Sequence, residues 1–116
     1  MIGDLSGVKK IYLITGRTDM RKSIDGLCAV VEQVVRQSPK SNALFLFCGR
    51  RKDRIKALMY DGTGFVLIYK RLDVSNGRYR WPRDRHEARN LTWQEFDWLM
   101  SGLDIEQPKA IRAQFT

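Results

Sequence analysis

Residues 44–72 read LFLFCGRRKDRIKALMYDGTGFVLIYKRL, and their reading decides the fold. Leu44, Phe45, Leu46, Phe47 and Cys48 are five consecutive apolar residues, too few for a typical helix, rich in aromatics and followed by Gly49. Such a run suits a strand covered on both faces and is expected at the centre of a sheet. Asp61-Gly62-Thr63-Gly64 separates two runs of strand formers, residues 55–60 and 65–71. A short glycine-containing link between such runs signals a hairpin. Arg50, Arg51, Lys52, Arg54 and Lys56, interrupted as charges only by Asp53, follow the apolar run directly, and Lys70 and Arg71 close the hairpin. A dense basic segment is thus anchored to the best core element.

Towards the amino terminus, Ile11, Tyr12, Leu13 and Ile14 make a second short apolar strand, expected beside the first and ended by Thr15-Gly16. Thr18 and Asp19 are both good helix N-caps. Beyond them Met20, Ile24, Leu27, Cys28, Val31, Val34 and Val35 recur at spacings that only a helix puts on one face. This predicts a long helix stopping by Ser38, because Pro39 restricts its predecessor and cannot continue the ladder. Gly26 in its interior costs about 1 kcal/mol relative to alanine, which close approach by another backbone would explain, neutral drift being the alternative.

Beyond the hairpin, Asp73-Val74-Ser75-Asn76-Gly77 reads as a turn, and Tyr79 and Trp81 alternate with Arg78 and Arg80 as a further strand closed by Pro82. A charged connection with Arg83, Arg85, His86, Glu87 and Arg89 leads to Leu91-Thr92-Trp93-Gln94-Glu95-Phe96. There Thr92 and Glu95 form a capping box, and Leu91 and Phe96 a hydrophobic staple. Phe96, Leu99, Met100 and Leu103 share a face, Gly102 is placed to end the helix, and residues 108–116 read as a weakly ordered tail. The expectation is one α+β domain over residues 1–116. It has a mainly antiparallel sheet of about four or five strands, one long helix packed on it and a short C-terminal helix.

The chain has 116 residues, enough to remove roughly two-thirds of its unfolded surface from water without disulfides or metal. Its formal charge of +8 is uneven: +2 over residues 1–39, +8 over 40–89 and −2 over 90–116. Arginine outnumbers lysine 13 to 8, and its planar fork suits phosphate and base edges. A concentrated arginine-rich block favours a polyanion partner. A membrane partner is not expected, because the sequence has neither a long apolar segment nor a basic amphipathic helix with an unfilled apolar face. Cys28 and Cys48 read as buried thiols. With the single histidine, His86, they form no ligand-like spacing, so neither a metal nor another cofactor is expected. No secretory h-region opens the chain, which points to a cytoplasmic, reducing setting.

Catalysis would need converging acids, and each of Asp19, Asp25, Asp53, Asp61 and Asp73 has a conformational explanation as a cap, a solvated helix position, a local charge balance or a turn opener. His86 has no nucleophile partner in a known motif, and Gly62-Thr63-Gly64 lacks the lysine and following helix of a phosphate loop. The chain therefore reads as no enzyme and as having no small-molecule substrate. A charge run is usually a solvated face. Here it follows a buried strand, is rich in arginine, and is echoed by cations in strands expected nearby. The candidate phosphate-binding set is Arg50, Arg51, Lys52, Arg54, Lys56, Lys70, Arg71, Arg78 and Arg80. The alternative is a protein adaptor whose basic face meets an acidic patch. Tyr60, Tyr69, Tyr79 and Trp81 read as core rather than as base-stacking platforms.

GRTDMRKSIDGL at residues 16–27, the 44–72 stretch, Arg80-Trp81-Pro82 and the terminal LTWQEFDWLMSGLD closely resemble the TnpB-like accessory proteins of insertion sequences of the IS66 type. The likeness covers nearly the whole chain. Carried over by position, the family pattern matches Thr18, Asp19, Met20 and Arg21, then Arg50, Arg51, Asp53, Arg54 and Lys56. It continues through Gly64, Lys70, Arg71, Leu72, Trp81 and Pro82. Ser23 and the highly charged residues 83–89 depart from it. The resemblance implies a small accessory protein of a mobile element, acting with a separate, larger transposase that carries the strand-transfer chemistry, and implies no reaction of its own; with the basic set, the expected polyanion partner is DNA at the element ends.

Overall fold

In the computed structural model, which describes residues 7–83 and 85–105, the apolar run becomes β2 (Ala43–Cys48), buried at every position. Around it lie β1 (Lys10–Ile14), β3 (Arg54–Tyr60), β4 (Phe65–Arg71) and β5 (Ala88–Leu91), in the sheet order β4-β3-β2-β1-β5. Successive strand residues point to opposite faces. Phe45 and Phe47 therefore join Tyr12, Ile14 and Leu58 in one core, while Leu44, Leu46 and Cys48 join Ile11, Leu13 and Ile55 in another. Helix α1 (Ile24–Val30) covers the first core through Leu27 and Val30. Helix α2 (Trp93–Met100), with Tyr79 and Trp81, covers the second. The result is a three-layer α+β arrangement.

The sheet is mixed rather than simply antiparallel. β1 and β2 run parallel with Ile11 opposite Leu44 and Leu13 opposite Leu46, and the other ladders are antiparallel. Parallel neighbours need a crossover, which α1 supplies. The expected long helix is short, 12 residues in all, because α1 passes directly into a π-helical turn (Val31–Val35). At its start the Thr18 N–H is taken by Cys48 O at 2.8 Å, and Asp19 caps a local turn, so Ser23 becomes the N-cap. At its end Arg36 adopts φ 59° and its N–H reaches Val31 O at 3.1 Å. The wide turn keeps Val34 and Val35 against the core. Gly26 meets no foreign backbone; its nearest neighbours are side-chain atoms of Lys22, the closest 3.2 Å from where a Cβ would stand.

Two further expectations change places. Residues 78–81 do not join the sheet: Tyr79 N–H donates to Lys52 O at 2.7 Å and Trp81 Nε1 to Ile14 O at 2.9 Å, so both rings plug a sheet face. The missing strand is β5, out of the segment read as a connection. It is drawn onto β1 beside a clasp in which Thr15 N–H donates to Glu87 O and Glu87 N–H to the Thr15 hydroxyl. The α2 capping box forms as read, with Glu95 N–H donating to Thr92 Oγ1 at 3.0 Å and Thr92 N–H to Glu95 Oε1 at 2.8 Å. Gly102, at φ +81°, ends it, with Leu103 N–H reaching back to Trp98 O. Leu103 itself is exposed, not on the core face. The expected tail at 108–116 lies outside the described residues.

Cys48 is fully buried and burial pushes its thiol up to about 12, whereas Cys28 is only half-buried, its thiol raised chiefly by partial burial. Cys48→Ser should therefore cost about 1–3 kcal/mol in denaturant melts, and Cys28→Ser less than about 0.5 kcal/mol. In the native protein a thiol reagent should label Cys28 readily and Cys48 only at the rate of unfolding.

Candidate nucleic-acid interface

Because β1 and β2 are parallel, their carboxyl ends lie at the same end of the sheet, and the loops that follow them meet there. In the loop after β1, Arg21 donates to the Asp19 carboxylate through Nε at 3.0 Å and Nη2 at 2.8 Å, and its backbone N–H donates to Asp19 Oδ1 at 2.9 Å. Between them Met20 lies over Gly49, so close that a Cβ there would stand 2.6 Å from Met20 Cγ. The loop after β2 is a turn closed by Lys52 N–H to Gly49 O at 3.2 Å, with Lys52 at φ 61°. Its backbone is held from outside as well. Arg83 Nη2 donates to Gly49 O at 2.6 Å and Arg50 O at 3.1 Å, and Leu72 N–H donates to Asp53 O at 2.8 Å.

The side chains of Arg50 and Arg51 stay exposed on this pinned turn and form the shared wall of two open hollows. One, of about 760 Å³, is completed by Arg17, Thr18, Asp19, Arg21, Asp53 and Arg54. The other, of about 730 Å³, is completed by Lys52, Asn76, Arg78, Tyr79 and Arg80, with no carboxylate in its lining among the described residues. The fold therefore brings Arg50, Arg51, Lys52, Arg54, Arg78 and Arg80 together around one ridge. It adds Arg17, a cation that sequence reasoning left out of the set, and Arg83, which braces the turn from below.

The remaining candidates stand elsewhere. Lys56 lines neither hollow: its Nζ donates to Lys22 O at 2.7 Å in an exposed hydrogen bond and sits 5.6 Å from the Tyr69 ring centroid. Lys70 and Arg71 are exposed on the edge strand β4, with Arg71 opposite Arg54, and line neither hollow. Gly64 N–H donates to Asp61 Oδ1 at 2.9 Å, so this motif glycine belongs to the hairpin turn. Trp81 is core, and Pro82 O accepts from Gly16 N–H at 2.9 Å, tying the two segments behind the hollows.

Asp19 and Asp53, far apart in sequence, share the first hollow, and each is engaged by a neighbouring arginine, Asp53 at 3.6 Å from Arg54 Nε. Hydrogen bonding to Arg21 holds the Asp19 carboxyl down at about 2. Among the described residues no three histidine, cysteine, aspartate or glutamate side chains gather as a metal site, and no helix is long and apolar enough to cross a membrane.

Two measurements check this geometry. Gly49→Ala should cost about 1–3 kcal/mol by forcing Met20 aside, and the cost should shrink in a Met20→Ala background. The depressed Asp19 pKa implies that the Asp19–Arg21 pair contributes above the ordinary carboxylate range and is lost as pH falls through about 2. A carboxyl-detected NMR titration should show that midpoint, and Arg21→Ala should move it upward.

The uncharacterized proteins y4hO and y4jC of Sinorhizobium fredii (strain NBRC 101917 / NGR234) are similar to this chain. The first is 34% identical over 100 residues, covering 86% of this chain and 85% of the relative, and the second 32% over 109 residues, covering 94% and 91%. No solved structure matches. A family profile described as IS66 Orf2 like protein matches residues 9–110, an interval that contains both loops at the ridge. The chain belongs to the IS66 Orf2 like family, and that membership implies an accessory role in transposition.

Proposed function

We propose that the protein is a non-enzymatic DNA-binding accessory factor, acting with the separate transposase of its element, and that the ridge of Arg50 and Arg51 with its flanking hollows meets the phosphate backbone. The observation that carries this reading is the convergence of cations from three separate segments, 17–21, 50–54 and 78–80, on one pinned turn. Neutralising phosphates releases counterions, a driving force that needs many cations on one surface and no particular base sequence. Absence of catalysis is supported by the acids: Asp19 and Asp53 face arginines, and Asp61 accepts from Thr63 and Gly64 N–H in its turn.

Each phosphate contact removed should lower the slope of log affinity against log salt by about 0.9 on duplex DNA. Arg78→Ala, Arg80→Ala and Arg51→Ala should each do so, while Lys56→Ala, whose ammonium faces Lys22 and Tyr69, should leave the slope unchanged. Binding would be followed by fluorescence anisotropy, with circular dichroism to check folding. If the wild type binds no DNA at low salt, alone or with its transposase, while charge reversal at the ridge still abolishes transposition, the reading falls and the ridge is a contact for an acidic protein surface.

A further inference from the structure

We propose that the Arg50-Arg51 turn is a minor-groove reader that selects duplex DNA with a narrow, A·T-rich groove, the hollows on its two sides receiving the phosphate rails of the two strands. The inference rests on the DNA-binding reading above and names the class of DNA.

Shape is the first support. The turn is a ridge that walls two hollows, Arg17 and Arg54 standing in one beside the Asp19–Arg21 pair and Asp53, and Lys52, Arg78 and Arg80 in the other. A duplex groove is the complementary relief, a trough between two rails of phosphate. Width selects which groove: a major groove admits a helix or a two-stranded ribbon, whereas the minor groove, about 6 Å wide, takes little more than side chains. The ridge offers a single tight turn, closed by Lys52 N–H to Gly49 O, with two exposed guanidinium groups at its tip.

The chemistry agrees. The minor groove of A-tracts is narrow and strongly negative, which draws inserted arginine, and the two residues at the tip of the turn are both arginine. The turn is already ordered by the bonds from Arg83, Leu72 and Tyr79, so docking has little backbone freedom to remove. Single strands fit less well, because Tyr79, the aromatic side chain in the lining of the second hollow, is 1% exposed and has no free face for stacking.

The test compares the intact protein on two duplexes of equal length, one with a central A-tract and one of alternating G·C, by anisotropy at fixed salt. The A-tract should bind about tenfold tighter, within the range set by base-pair discrimination, and netropsin, which occupies the A-tract minor groove, should displace the protein. The Arg50→Lys/Arg51→Lys double variant keeps both charges at exposed positions. It should retain the salt slope while its affinity for the A-tract falls to that for the G·C duplex. Equal wild-type affinity for the two duplexes, indifference to netropsin, or an undiminished preference in the double variant would overturn the groove assignment while duplex binding, still observed, upheld the backbone reading. Failure to bind either duplex would overturn both.

Discussion

β2 leaves none of its residues to solvent, and because adjacent strand side chains point in opposite directions, Phe45 and Phe47 require one cover while Leu44, Leu46 and Cys48 require another. Each cover is a different part of the chain. α1 crosses over the first face and so forces β1 and β2 to run parallel. The second face is closed by the Tyr79 and Trp81 rings and by α2, which is why a segment with strand-like alternation ends up lying on the sheet instead of in it.

The site is a by-product of that arrangement. Parallel neighbours finish at the same end of the sheet, so the loop with Asp19, Met20 and Arg21 touches the turn with Gly49, Arg50 and Arg51, and Gly49 has no side chain to keep Met20 away. The same packing that buries Trp81 delivers Arg78 and Arg80 to the far side of the turn and places Arg83 under its carbonyls. Charge is graded across the ridge. Asp19 and Asp53 offset part of the positive field in one hollow, and among the described residues the other has no carboxylate in its lining.

The departures from the family pattern have modest structural consequences. Ser23 is the N-cap of α1 in an extended conformation, although its side chain makes no cap hydrogen bond. The charged segment after Pro82 supplies the Thr15 clasp through Arg85 and Glu87 and then the edge strand β5. Surface charge there coexists with backbone pairing because strand ladders use main-chain groups, which are indifferent to whether the side chains above them are arginine or valine.

Local information in the sequence determined the central strand, the β3–β4 hairpin and the start of α2. In each case the signal is a contact between residues close in the chain: five apolar residues in a row, the Asp61 turn with its own N–H groups, and the Thr92–Glu95 box. It also determined that arginine-rich charge follows the central strand. Only the tertiary structure decided the parallel pairing of β1, the late start and wide last turn of α1, the exchange of roles between residues 78–81 and 88–91, and the recruitment of Arg17 to the ridge while Lys56 turned away. The late start of α1, the placement of Trp81 and the turning of Lys56 depend on partners distant in sequence, Cys48 O for Thr18, Ile14 O for Trp81, Lys22 O for Lys56, and spacing along the chain carries no trace of such partners.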